Sequence, residues 1–163
     1  MLRKEYTTAS NDIVVIEQYK PSAYEIANMI LEVEASTKED APTEYIDSVS
    51  ATGVFYKLTC NGETKAYIGF KNNIEATIIS TIKASPTETL LFLQVILEVY
   101  NSIKFVPHNK DNMARYLSIM SSQNARRWHS FHEHITITKR DVKEKFPSLG
   151  DSLKLGFKEL IDE

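Results

Sequence analysis

Apolar and polar positions change their period twice between Ile103 and Thr138, and that change shows most clearly how the chain is organised. Ile103-Lys104-Phe105-Val106 is a short β-branched and aromatic run, ended by the turn residues Pro107-His108-Asn109. Asn109 suits a helix N-cap, and Asp111 places negative charge in the first turn. Met113, Tyr116, Leu117 and Met120 then recur at i, i+3, i+4 and i+7, which puts them on one helical face. Phe131 to Thr138 returns to a strand pattern. A strand, a turn, a helix packed back on the sheet and a second strand form an α/β unit.

Upstream, the first ten residues are polar and predict a loose N-terminus. Ile13 to Ile16 is a continuous β-branched run, read as a strand buried on both faces. Ser22-Ala23-Tyr24-Glu25 is a capping box, followed by Ile26, Met29, Ile30 and Val33 at helical spacing, with the helix ending near Ala35-Ser36. Thr37 to Pro42 is turn-like, and Thr43 to Val49 predicts a short helix with Tyr45, Ile46 and Val49 inward. Val54 to Cys60 and Thr64 to Phe70 flank Asn61-Gly62, a strong hairpin signal because both turn residues tolerate positive φ. After the turn at Lys71-Asn72-Asn73, Glu75 to Lys83 is a third strand pattern, with Ile78, Ile79 and Ile82. Ser85-Pro86-Thr87-Glu88 is a second capping box with proline at the first helical position. It opens a helix, Leu90 to Tyr100, that is apolar almost all round and is therefore either central to the fold or the cover of a partner surface. Past Thr138, Lys139 to Lys145 is charged, Pro147 and Gly150 break the chain, and Leu153, Phe157, Leu160 and Ile161 predict a closing helix.

Composition narrows the class. A chain of 163 residues with 42% hydrophobic and 25% charged residues fits a single domain over 1–163, with 1–10 loose and 147–163 a helical extension. The formal charge of −3 and pI near 5.8 give no general attraction to nucleic acid or anionic membrane. Cys60 is the only cysteine, so there is no intrachain disulfide and no thiolate metal cage. The N-terminal residues lack an apolar signal core, and no apolar run approaches the roughly 18 residues of a membrane span. A cytoplasmic location is the expectation.

Strand, helix, short helix, three antiparallel strands, helix, strand, helix, strand resembles the order of the GNAT acyltransferase superfamily. That resemblance implies an α/β (α+β) fold: a mixed, mostly antiparallel sheet flanked by helices, splayed open to admit acyl-coenzyme A, here with an additional C-terminal helix. The residues that carry it are Asn109 and, after six more, Tyr116. In the family such an asparagine helps hold the cofactor, and such a tyrosine often protonates the leaving thiolate. Two departures stand against an active enzyme. The family's arginine- and glycine-rich phosphate loop is replaced by Lys83-Ala84-Ser85-Pro86-Thr87-Glu88-Thr89-Leu90, without one glycine or arginine. The Gly-Phe that normally follows the tyrosine helix is Met120-Ser121. A degenerate cofactor loop, together with Ile135-Thr136-Ile137-Thr138-Lys139, is similar to the acetyltransferase-like internal virion proteins of some tailed phages, which would place the protein in the host cytoplasm or a virion.

Other residues carry side chains suited to chemistry. His129, His132 and His134 beside Glu133 match no standard metal spacing, and no metal site is expected. Arg126, Arg127 and Trp128 form a basic-aromatic cluster that either grips a protein partner or lets Trp128 fill the core edge. Glu63 and Glu75 are candidate bases only if acyl transfer occurs, and Cys60 reads as a structural thiol. The leading expectation is a GNAT-like domain with a decayed cofactor site, needing no cofactor and acting by binding a protein. The alternative is an acetyl-CoA-dependent N-acyltransferase using Asn109 and Tyr116. The third is a structural homo-oligomeric subunit, such as a homodimer, joined through the apolar helix. Nucleic acid and membrane are not expected partners.

Overall fold

The computed structural model describes residues 1–37, 43–105, 135–141 and 156–160. The elements are β1 (Arg3–Thr8), β2 (Ile13–Tyr19), α1 (Ala23–Thr37), α2 (Thr43–Ser50), β3 (Val54–Cys60), β4 (Glu63–Phe70), β5 (Ala76–Ser80), α3 (Pro86–Val99), β6 (Ser102–Phe105), β7 (Ile135–Thr138) and β8 (Phe157–Leu160). Six strands form an antiparallel sheet in the order β5-β4-β3-β2-β1-β8, and β6 pairs antiparallel with β7 in a second sheet. The architecture is mixed α and β, with a mostly antiparallel sheet flanked by helices.

Local chemistry accounts for the middle of the chain. Asn61 and Gly62 take φ of 51° and 85°, the left-handed pair that a tight hairpin needs, and join β3 to β4. The Asn61 side chain does more than turn: its Oδ1 accepts from the Ile13 N–H at 2.9 Å and its Nδ2 donates to Asp12 Oδ1 at 2.9 Å. The hairpin is thus tied to the start of β2. Strand alternation then sorts the side chains between two faces. Val14, Ile16, Tyr56, Leu58, Ala66 and Ile68 enter one core with the buried residues of α3, and Phe55 and Ile78 enter a smaller one with Met29 and Val49. α1 and α2 therefore cover one face, and α3 the other.

The all-round apolar character of α3 has its explanation inside the chain. Leu91, Phe92, Leu93, Val95, Ile96 and Leu97 are all buried, in one cluster with sheet residues and with Ile103, Phe105, Ile135 and Ile137 of β6 and β7. At its C-terminal end Tyr100 stacks on Phe70 with centroids 3.9 Å apart, and its hydroxyl lies 3.1 Å from that of Tyr56. Most of the apolar surface of α3 thus lies in the core, and Val99 stays 52% exposed.

Several expectations need correction. The N-terminus is not loose: Arg3–Thr8 is a strand, held between β2 and β8, with Tyr6 only 2% exposed. Its polar composition hid it, because only one face of a strand needs burial. The closing helix is absent at Phe157–Leu160, which is strand β8, entered through Gly156 at φ 85° and paired with β1 from Thr8↔Phe157 to Glu5↔Leu160. Only Phe157 is buried there, edge-on to Tyr6, so cross-strand pairing overrode the helical spacing. β2 is not buried on both faces, since Ile13 is exposed and Val15 half-buried while Val14 and Ile16 are fully covered. Ile46 on α2 is exposed, and β5 stops at Ser80, which leaves Ile82 exposed beyond it.

One bulge shapes the far edge of the sheet. Gly69 pairs with Ile78 but Phe70 pairs with Ala76, so Thr77 is an extra residue in β5 and bends it. Beside it, β6 joins through a single parallel bridge, Glu75↔Lys104, and the Lys104 N–H donates to the Ile74 carbonyl at 2.9 Å. Among the described residues this is the one bridge between the two sheets.

Gly69 sits at the bulge with no room for a side chain: a Cβ would lie 2.7 Å from Thr52 Cγ2 and 2.9 Å from Phe55 Cε1. Gly69→Ala should cost about 1–3 kcal/mol in chemical denaturation. Gly53→Ala, whose Cβ meets nothing, should stay within about 0.5 kcal/mol. A second expectation concerns alkali. Burial, and then the hydrogen bond with Tyr56, push the Tyr100 hydroxyl above its usual range, while Tyr24 is exposed. Because the folded value is raised, this contribution to stability is intact below about pH 10 and is lost as pH climbs toward the folded value. Phenolate absorbance should show Tyr100 ionising late, and Tyr100→Phe should flatten the alkaline fall in stability.

Candidate functional site

The entry to α3 is closed by its own residues. Ser85 Oγ accepts from the Glu88 N–H at 3.1 Å and Glu88 Oε1 accepts from the Ser85 N–H at 2.9 Å, while Pro86 has no N–H to offer. The Ser85 carbonyl takes the Thr89 N–H at 2.9 Å. A helix N-terminus binds phosphate through free N–H groups and the positive end of its dipole. Here the Glu88 carboxylate already sits at that positive end.

The neighbourhood adds to the repulsion. Cys60, at the end of β3, has its thiol pushed up by burial and then by the negative charges of Glu88, Asp12 and Glu63, with Lys65 opposing them. A diphosphate approaching α3 therefore meets an acidic setting. The same burial and negative charges disfavour the thiolate that a nucleophile would need.

The candidate bases are not brought together. Glu63 opens β4, exposed and 3.3 Å from Lys65, whereas Glu75 lies next to the β5–β6 bridge at the opposite end of the β4–β5 hairpin. Asn109, Tyr116, Arg126, Arg127 and Trp128, with His129, His132 and His134, lie outside the described residues.

A cleft that the sequence did not point to opens on the other face, between α1 and β4–β5. It has a volume of about 240 Å³ and is lined by Glu25 and Glu32 from α1, and by Lys65, Tyr67, Ser80 and Lys83 from the sheet side, among others. The Tyr67 hydroxyl donates to Glu32 Oε2 at 2.5 Å, and the Ser80 hydroxyl to Oε1 at 3.0 Å. Tyr67 and Ser80 are directly opposite each other on β4 and β5, so one donor from each strand fixes the carboxylate. The only sequence signal for Glu32 is its place three residues after the buried Met29, beside the packed stripe of α1.

Compared with family models, with curated proteins and with solved structures, the chain finds no match in any of the three. Among the described residues, no helix is long and apolar enough to cross a membrane.

The closed entry to α3 carries a measurable contribution. Ser85→Ala should lower stability by about 1 kcal/mol in denaturant melts, through loss of the cap. An unchanged midpoint would mean that the box is not formed in solution.

Proposed function

We propose that the chain is a GNAT-like domain whose acyl-coenzyme A site is degenerate and which acts without catalysis, by binding another protein. The observation that carries this reading is the sealed entry to α3: proline, a satisfied serine cap and a glutamate stand where a phosphate cradle would have to be. The surrounding order of elements supports the family likeness, with two helices on one face of an antiparallel sheet, a central helix on the other, and a further strand pair beyond it. Arg126, Arg127 and Trp128 are the residues proposed to meet the partner, because arginine and tryptophan dominate binding energy where they are buried against another surface. A phage or mobile-element setting rests on Ile135-Thr136-Ile137-Thr138-Lys139, the first four residues of which form β7.

One feature favours a second reading, an active N-acyltransferase. β5 and β6 belong to separate sheets joined, among the described residues, by one bridge at Glu75↔Lys104, the kind of junction through which an acyl chain would have to enter. In that reading Asn109 would hold acetyl-coenzyme A and Tyr116 would protonate the leaving thiolate.

Calorimetric titration with acetyl-coenzyme A separates the two. The non-catalytic reading expects no saturable heat at micromolar concentration, and micromolar binding would overturn it. If binding and turnover on an amine are found, Tyr116→Phe should lower the rate by about 10²-fold or more, the scale of general acid catalysis.

A further inference from the structure

We infer that the cleft between α1 and β4–β5 is a binding site for a small zwitterion, taking its ammonium group on Glu32 and its acidic group on Lys83. This inference does not rest on the GNAT-like reading, and the result of an acetyl-coenzyme A titration leaves it untouched.

Charge separation across the cleft is the first observation. The α1 wall contributes Glu25 and Glu32, and the sheet wall contributes Lys65 and Lys83. Among the described residues no ion pair crosses between the walls, and Lys65 pairs instead with Glu63 on its own strand. Opposite charges on the two walls give the cleft a potential complementary to a ligand that carries both signs. Lys83, exposed in the turn after β5 and making no ion pair among the described residues, is the cation left for an acidic group.

The second observation is the way Glu32 is held. Its oxygens accept one hydroxyl each, from Tyr67 and from Ser80, and each oxygen keeps acceptor capacity for a further donor. A carboxylate set in place by two hydroxyls loses little freedom when an ammonium group docks, which is the advantage of a preorganised site. A purely structural role explains the position less well. Ile26, Met29 and Ile30 already fasten α1 to the sheet, and an apolar side chain at 32 would extend that packing without desolvating a charge.

Size selects the ligand. A cleft of about 240 Å³ falls below the roughly 300–1,000 Å³ of sites for drug-sized ligands and suits a molecule on the scale of an amino acid.

The test is a titration of the full chain followed by amide ¹H–¹⁵N NMR, using 4-aminobutyrate as the two-ended probe and n-butylamine and butyrate as one-ended ones. Saturable shifts at millimolar 4-aminobutyrate are expected at the amides around Glu32, Tyr67, Ser80 and Lys83. Each one-ended probe should bind at least tenfold more weakly, and Glu32→Gln should weaken 4-aminobutyrate by at least tenfold. Lys83→Glu, in an exposed turn, should do the same without changing the melting temperature, and it decides the matter if Glu32→Gln does not fold. No saturable shift, equal binding by a one-ended probe, or unchanged binding by either variant would overturn the assignment.

Discussion

Burial of the apolar side chains of α3 is the constraint on which the other parts depend. Leu91, Phe92, Leu93, Val95, Ile96 and Leu97 share one cluster with residues of the six-stranded sheet and with Ile103, Phe105, Ile135 and Ile137, so the small sheet of β6 and β7 and the large one close over the same core. Backbone pairing contributes one bridge to that junction. The helix ends are held as well. The Ser85 hydroxyl accepts from the Glu88 N–H and the Glu88 carboxylate from the Ser85 N–H, and at the other end the Tyr100 N–H donates to the Ile96 carbonyl at 3.0 Å while the ring stacks on Phe70. The cap at the start of α3 is thus part of what the fold requires there.

The bulge at Thr77 and the bare Cα of Gly69 belong together. Removing the side chain at 69 lets Thr52, in the turn after α2, come down on the sheet, where its hydroxyl meets that of Thr77. The bulged residue is therefore anchored by the helix layer on one face, two positions from the Glu75↔Lys104 bridge. A local two-for-one mismatch in a single strand thereby bends that edge of the sheet.

Much of this was legible wherever the cause is local. Asn61-Gly62, both capping boxes and the three antiparallel strands follow from contacts a few residues apart, and they form as the residue types dictate. The errors fall where the cause is distant. Arg3–Thr8 and Phe157–Leu160 have weak intrinsic patterns: the first is a strand because β2 and β8 lie on either side of it, and the second because it pairs with the first. The cleft was hidden for the same reason: Glu32 meets Tyr67 and Ser80 from 35 and 48 positions away, separations that no motif window spans. Asn109 and Tyr116, read from a local spacing, belong to residues the structure does not describe.

The pairing of β1 with β8 bears on how the chain is made. Glu5 and Leu160 are partners, so the outer edge of β1 stays uncovered on a ribosome until nearly all of the described sequence has emerged. Through that interval an almost complete sheet presents an open strand edge, the kind of template that recruits other nascent chains. The charges on that strand, Arg3, Lys4 and Glu5, offer protection while it waits, because another chain pairing there would have to take up their charge. Of the two carboxylates that Lys4 reaches in the finished fold, Glu98 and Glu159, the second arrives only with β8.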